Sequence, residues 1–114
     1  MIRALWMTLA AATLLLLCPH ARAETMVASY YGAESGHRTA SGQHFNPEGM
    51  TAAHRSLPFG TVLRVCYQGC VDVVVNDRGP AKWTHRDLDL AKGAARKIGL
   101  IRRGHGPVQV ERVR

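Results

Sequence analysis

Two stretches of this 114-residue chain carry side chains suited to moving protons. In Val75-Asn76-Asp77-Arg78-Gly79-Pro80 a run of β-branched residues stops abruptly in Asn-Asp-Arg. A carboxyl group therefore stands where a strand would feed a loop, a common place for a site. Upstream, Arg38-Thr39-Ala40-Ser41-Gly42-Gln43 is followed at an interval by Thr51-Ala52-Ala53-His54. An imidazole changes charge near neutral pH, and a carboxylic acid can give a proton to a departing oxygen and take one back. Asn-Asp-x-Gly-Pro is equally an ordinary strand-to-turn exit, and His54 is equally readable as a histidine hydrogen-bonded within a barrel. His37, His44, His85 and His105 are scattered without metal-ligand spacing, so no metal is assigned.

The elements that must position these groups are short. Met26 to Tyr31 reads as a first strand ended by Gly32, and Glu34 to Gly49 as a long polar loop with a short strand near His44-Phe45. Met50 to His54 is a short apolar run. Thr61 to Cys66 and Val71 to Asn76 alternate as strands, joined by Tyr67-Gln68-Gly69 with glycine where a hairpin commonly needs a positive φ. Asp89 is placed to cap a helix carrying apolar residues at Leu90, Ala94 and Ile98, with Gly99 stopping it. Pro107 to Val113 is a last strand. Many short strands and one short helix suggest a small β-barrel. Tyr30 and Tyr31, adjacent in a strand, must point to opposite faces, so at most one of them lines a site. With Trp83 they are the aromatic candidates for stacking on the apolar face of a ligand.

Cys66 and Cys70 face each other across the hairpin mouth, which makes a disulfide geometrically plausible. Their Cys-x-x-x-Cys spacing, with no helix start after it, is not that of a redox-active pair. No second ligand pair completes a metal site.

The N-terminus sets the compartment. Arg3 precedes an apolar run from Ala4 to Cys18, Pro19 breaks it, and Ala21-Arg22-Ala23 has the small-x-small spacing of a signal-peptidase site. The expectation is a signal peptide over residues 1–23, export to the periplasm or cell envelope, and no stable membrane insertion afterwards. Roughly 15 apolar residues are few for a bilayer span. Leu17 before Cys18 is a poor context for lipid attachment, so Cys18 is read as part of the discarded peptide. Removing residues 1–23 takes away Arg3 and Arg22 and leaves 91 residues, 13 basic against 8 acidic, a net charge of +5. That is one domain, 24–114, basic enough to suit an anionic wall surface. No nucleic-acid motif is present, and a monomer is the default.

Ala28-Ser29-Tyr30-Tyr31-Gly32, Thr39-Ala40-Ser41-Gly42, Thr51-Ala52-Ala53-His54, Leu57-Pro58-Phe59-Gly60 and Val75-Asn76-Asp77-Arg78-Gly79-Pro80 occur together and in this order, with Asp89-Leu90 opening the expected helix. In this combination the chain resembles the rare lipoprotein A (RlpA) family of septal-ring lytic transglycosylases, related in fold to expansins and barwin. The resemblance implies an all-β fold, a six-stranded double-psi β-barrel with one short helix and a glycan groove. It implies cofactor-free cleavage of peptidoglycan glycan strands between N-acetylmuramic acid and N-acetylglucosamine, on strands stripped of stem peptides, leaving a 1,6-anhydro end. The family's active-site aspartate falls on Asp77 and its histidine on His54, where it would position Asp77 or act as a base. Ser41, Asn76, Arg78 and Trp83 are then candidates for holding substrate, Arg78 equally for bracing the loop.

The position of a usual family glutamate is taken by Gln43, which cannot transfer protons but can hydrogen-bond a sugar. Glu34 and Glu48 lie in the same segment, as substitutes or as solvated loop carboxylates. Three classes of function therefore stand open: a transglycosylase resting chiefly on Asp77, an expansin-like module that grips glycan without cutting it, and a small secreted inhibitor on the same barrel.

Overall fold

The computed structural model describes residues 23–114. The expected leader, Cys18 included, lies apart from Ala23 outside the described residues. Six strands, β1 (Glu24–Tyr31), β2 (Thr51–His54), β3 (Val62–Cys66), β4 (Cys70–Asp77), β5 (Leu88–Ala91) and β6 (Gly106–Arg112), close into a barrel in the order β1-β5-β2-β4-β3-β6. One helix, α1 (Lys92–Ile98), follows β5 directly. Two of the ladders are parallel, β1 with β5 and β2 with β4. The others are antiparallel. Over the described residues the fold is an all-β double-psi barrel with a single helix, as the resemblance implied.

Alternation builds the core. Val73 and Val75 on β4, Leu63 and Val65 on β3, Leu88 and Leu90 on β5 and Val108 and Val110 on β6 turn inward and are buried. Ala94, Ala95 and Ile98 of α1 and Leu100 beyond it extend the same core. Fully burying each of the larger side chains contributes about 1.5–3 kcal/mol.

Two expectations are corrected. Asp89 does not cap the helix. Leu88–Ala91 is a strand that pairs with Ala28–Tyr31 on one side and Ala52–His54 on the other, and α1 starts after Ala91 with no side-chain cap. Two ladders of backbone hydrogen bonds outweigh a local capping preference. The hairpin glycine is also not there for a positive φ, since Gly69 is absent from the positive-φ glycines of the described residues. A Cβ at Gly69 would lie 3.2 Å from the Lys97 carbonyl oxygen, so glycine lets the hairpin tip close on the end of α1, where the Gln68 and Gly69 amides donate to Ile98 O. The Cys66–Cys70 disulfide is present, joining residues directly paired across β3 and β4.

Candidate active site

A bulge decides where Asp77 points. Between β2 and β4 the register runs Thr51↔Val74, Ala52↔Val75 and then Ala53↔Asp77, so Asn76 is an extra residue opposite no partner. Because strand side chains alternate with period 2, one added residue exchanges the faces of everything after it. Without it Asn76 would pair with Ala53, and Asp77 would turn toward the inner face with His54. With it Asp77 stands on the outer face beside Ala53.

Ala53 also pairs with Asp89 on β5, and Asp89 pairs with Ser29 on β1. Ser29, Asp89, Ala53 and Asp77 therefore form one row across four neighbouring strands. Two strand spacings put the Asp77 and Asp89 α-carbons about 10 Å apart, with the small, buried Ala53 between them. Asp89 is the functional candidate that sequence reasoning missed. Aspartate before an apolar run is the usual cap signature, which masks its place in a strand.

The two carboxyl groups have different company. Asp77 Oδ1 accepts from the amides of Ala40 at 2.8 Å and Arg78 at 2.9 Å, and Oδ2 accepts from the Tyr31 hydroxyl at 3.2 Å. Three hydrogen-bond donors surround it and no acceptor does. Asp89 accepts one hydrogen bond, from Ser29 Oγ at 3.0 Å. Burial pushes the Asp89 carboxyl above the usual carboxylate range, against the opposing pull of that hydroxyl and of Arg86, and the charges of Asp77 and Glu34 add to the rise. Burial, with Asp77 beside it, likewise pushes the Tyr31 phenol above its ordinary range, so it remains a donor.

The loop between β1 and β2 covers this row. Thr39 N donates to Gln43 O and Gly42 N to Thr39 O, both at 2.9 Å, with Gly42 at φ +89°. This turn aims the Ala40 amide at Asp77. Ser41 binds inward, its amide on Asn76 O at 3.2 Å and its hydroxyl 2.8 Å from Thr39 Oγ1. Asn76, buried by the bulge, donates from Nδ2 to Gln43 Oε1 at 3.1 Å. Gln43 thus ties the loop to the strand that bears Asp77. Of the two glutamates in the segment, Glu34 accepts the Gly32 amide at 2.8 Å, a bond that draws its carboxyl below the usual range, and Glu48 pairs with Arg96. Neither is bonded to Asp77.

His54 does not hold Asp77, contrary to expectation. It follows Ala53 and so lies on the other face of β2, where its Nδ1 accepts the amides of Ser56 and Leu57, each at 3.1 Å. Burial and the neighbouring Arg55 and Arg78 lower its pKa, which keeps that nitrogen an acceptor. Arg78 braces the same turn. Its Nη1 donates to Leu57 O at 2.9 Å and His54 O at 3.3 Å, and its guanidinium sits 3.9 Å from the centroid of the Phe59 ring. Trp83 is 81% exposed in the 3-10 turn Lys82–Thr84. Arg55 staples that loop, donating to Pro80 O and Arg86 O and pairing with Asp87. Among the described residues no three of His, Cys, Asp and Glu gather into a metal site, and no helix is long and apolar enough to cross a membrane.

A family model described as lytic transglycolase matches residues 23–110. The chain belongs to that family. Its curated relatives include a probable endolytic peptidoglycan transglycosylase RlpA of a Nostoc species, 50% identical over 91 residues, and the endolytic peptidoglycan transglycosylase RlpA of Campylobacter jejuni, 43% identical over 89. Each match covers 75% of this chain, but only 24% of the first relative and 32% of the second. The lytic transglycolase family chain thus corresponds to about a quarter to a third of those proteins. Among solved structures, the Streptomyces papain inhibitor superposes with a TM-score of 0.67 at 22% identity, over 84% of this chain and 98% of that one. The apo expansin of Clavibacter michiganensis gives 0.65 at 22%, over 82% and 51%. Both likenesses are of fold.

Proposed function

We propose that this protein is an exported lytic transglycosylase that cuts peptidoglycan glycan strands between N-acetylmuramic acid and N-acetylglucosamine, Asp89 serving as acid and Asp77 as base. The observation that carries the reading is the row Asp89–Ala53–Asp77, one half-buried carboxyl and one carboxylate ringed by donors. Cleaving a glycosidic bond needs a proton for the leaving oxygen and a partner for the anomeric carbon. Asp89 gives its proton to the leaving oxygen at position 4 of N-acetylglucosamine. The muramic 6-hydroxyl attacks the anomeric carbon while its proton passes to Asp77. The C1–O bond breaks, a 1,6-anhydro ring forms, and no water is consumed.

Gln43 is in this reading a neutral strut for Asn76 and the covering loop, and the second carboxyl group comes from Asp89. His54 and Arg78 act by fixing the turn after β2, and Ser41 by fixing the turn that aims the Ala40 amide. Trp83 offers an exposed ring to a sugar. Support for a glycan as substrate comes from the names of the RlpA relatives. An expansin mutant of Clavibacter michiganensis in complex with cellohexaose adds to it, at 25% identity and a TM-score of 0.61 over 80% of this chain and 51% of that one. Strands freed of stem peptides are the preferred substrate, the periplasm or envelope is the site of action, and the protein acts as a monomer without cofactor or nucleic acid.

The test is to incubate the purified protein with peptide-stripped peptidoglycan strands and analyse soluble products by mass spectrometry. Anhydro-ended fragments that disappear with Asp77→Asn and with Asp89→Asn are expected. Glycan that pellets with the protein but is never cut would instead establish a binding module, and indifference to glycan would leave the inhibitor class.

A further inference from the structure

The Tyr31 ring lies in a purpose-shaped slot. Tyr31 belongs to β1, separated from β4 by β5 and β2, yet its hydroxyl reaches Asp77 Oδ2 at 3.2 Å. The reach is possible because the outer-face positions it crosses are alanines. Tyr31, Ala91 on β5, Ala53 on β2 and Phe45 of the covering loop form a buried apolar cluster separate from the barrel core. Phe45 closes the slot from above, its ring stacked on Tyr31 with centroids 4.7 Å apart and planes 6° from parallel. Tyr30, its neighbour in sequence, points the other way and donates to Ile101 O.

We infer that Tyr31 is a positioning residue of the site, its phenol pinning Oδ2 of Asp77 so that this carboxylate stays oriented as the proton acceptor. With Oδ1 fixed by the Ala40 and Arg78 amides and Oδ2 by the phenol, the plane of the carboxylate is set from both oxygens. Removing the phenol leaves Oδ2 without its donor, so the carboxylate is held at Oδ1 alone and its plane is no longer set. The charged groups around this contact are Asp89 on β5, Arg78 next along the chain, and Arg86 and Glu34, which act on Asp89. Buried and beside two carboxylates, the phenol stays protonated and is not itself the base. The catalytic consequence rests on the transglycosylase reading, whereas the contact does not.

Tyr31→Phe keeps the ring, the stack and the slot. On peptide-free glycan it is expected to lower kcat roughly ten- to hundredfold, the worth of a hydrogen bond to a charged group. KM is expected to stay within about twofold. An unchanged kcat, or a loss confined to KM, overturns the inference. A second readout needs no activity. With tyrosine ring carbons labelled for NMR, one of the three tyrosines in the full chain is expected to titrate above the other two, and to come down in Asp77→Asn. Three tyrosines titrating together, or an odd one indifferent to Asp77→Asn, overturns it. Should the wild-type protein release no fragments, the transglycosylase reading fails, and the tyrosine titration alone decides whether Tyr31 holds Asp77.

Discussion

A methyl group on Gly93 would lie 2.5 Å from the carbonyl oxygen of Glu48, and the Gly93 amide donates to Pro47 O at 2.8 Å. The covering loop is therefore docked backbone to backbone on the start of α1, at a distance only glycine permits, beside the Glu48–Arg96 ion pair. Gly93→Ala is expected to lift the loop, costing about 1–3 kcal/mol by overpacking. Urea unfolding gives the cost, and limited proteolysis within residues 33–49 is expected to speed up while the barrel core stays protected.

Asp89 makes a pH-dependent contribution with a definite sign. Its folded-state pKa is raised above the ordinary aspartate value of 3.8. Between the two values the folded protein holds a proton that the unfolded chain has released. Stability from this group is thus fullest below the unfolded value and is lost as pH rises through the folded one. Asp89→Asn, which can still accept from Ser29, is expected to be more stable than wild type at pH 7 and to lose that advantage near pH 4. Denaturation curves at the two pH values check this. The variant is also expected to be inactive, a case of function retained against stability.

His54 has the opposite sign. Its folded-state pKa is lowered, so its contribution is present above the unfolded value of 6.5 and fades as pH falls. Protonating Nδ1 ends its bonds to the Ser56 and Leu57 amides. Hydrogen exchange at those two amides is expected to lose protection between about pH 6.5 and 5, with the β3–β4 ladder unaffected.

Gln43→Glu separates a strut from a missing acid. A carboxylate at 43 can accept the Asn76 amide as the glutamine does. With Asp89 as the acid, fragment release is expected to change by less than about threefold, far below the effect of restoring general acid catalysis, on the order of a hundredfold or more. A gain of that larger size would return the acid role to position 43.

The disulfide is a local staple. A bridge closing so short a loop is worth roughly 2 kcal/mol. Cys70 and Asp77 mark the two ends of β4, roughly 23 Å apart at 3.3 Å per residue. Replacing both Cys66 and Cys70 by serine is expected to lower Tm by several degrees and leave glycan cleavage within about twofold of wild type.

The hairpin, the loop and Asp77 were legible in the sequence because alternation and turn chemistry are local signals. Asp89 and Tyr31 were not. The segment Leu88 to Ala91 is four residues long and runs straight into a helix, so only its pairing with two distant strands reveals it as a strand. Tyr31 was recognised as one of two aromatics of which a single one could face the site, but the choice depended on Ala53, Ala91 and Phe45, which share no sequence neighbourhood. The bulge at Asn76 is a register shift between β2 and β4, and no feature of either strand alone announces it. The positioning of Asp77 expected of His54 is not seen for the same reason, since the bulge turns Asp77 away from the face His54 occupies.

The seam between β1 and β6, where Glu24 pairs with Val110, makes the first strand wait for the last. Until β6 is in place β1 lacks one of its two neighbours, and the barrel stays open beside the strand that carries Ser29 and Tyr31.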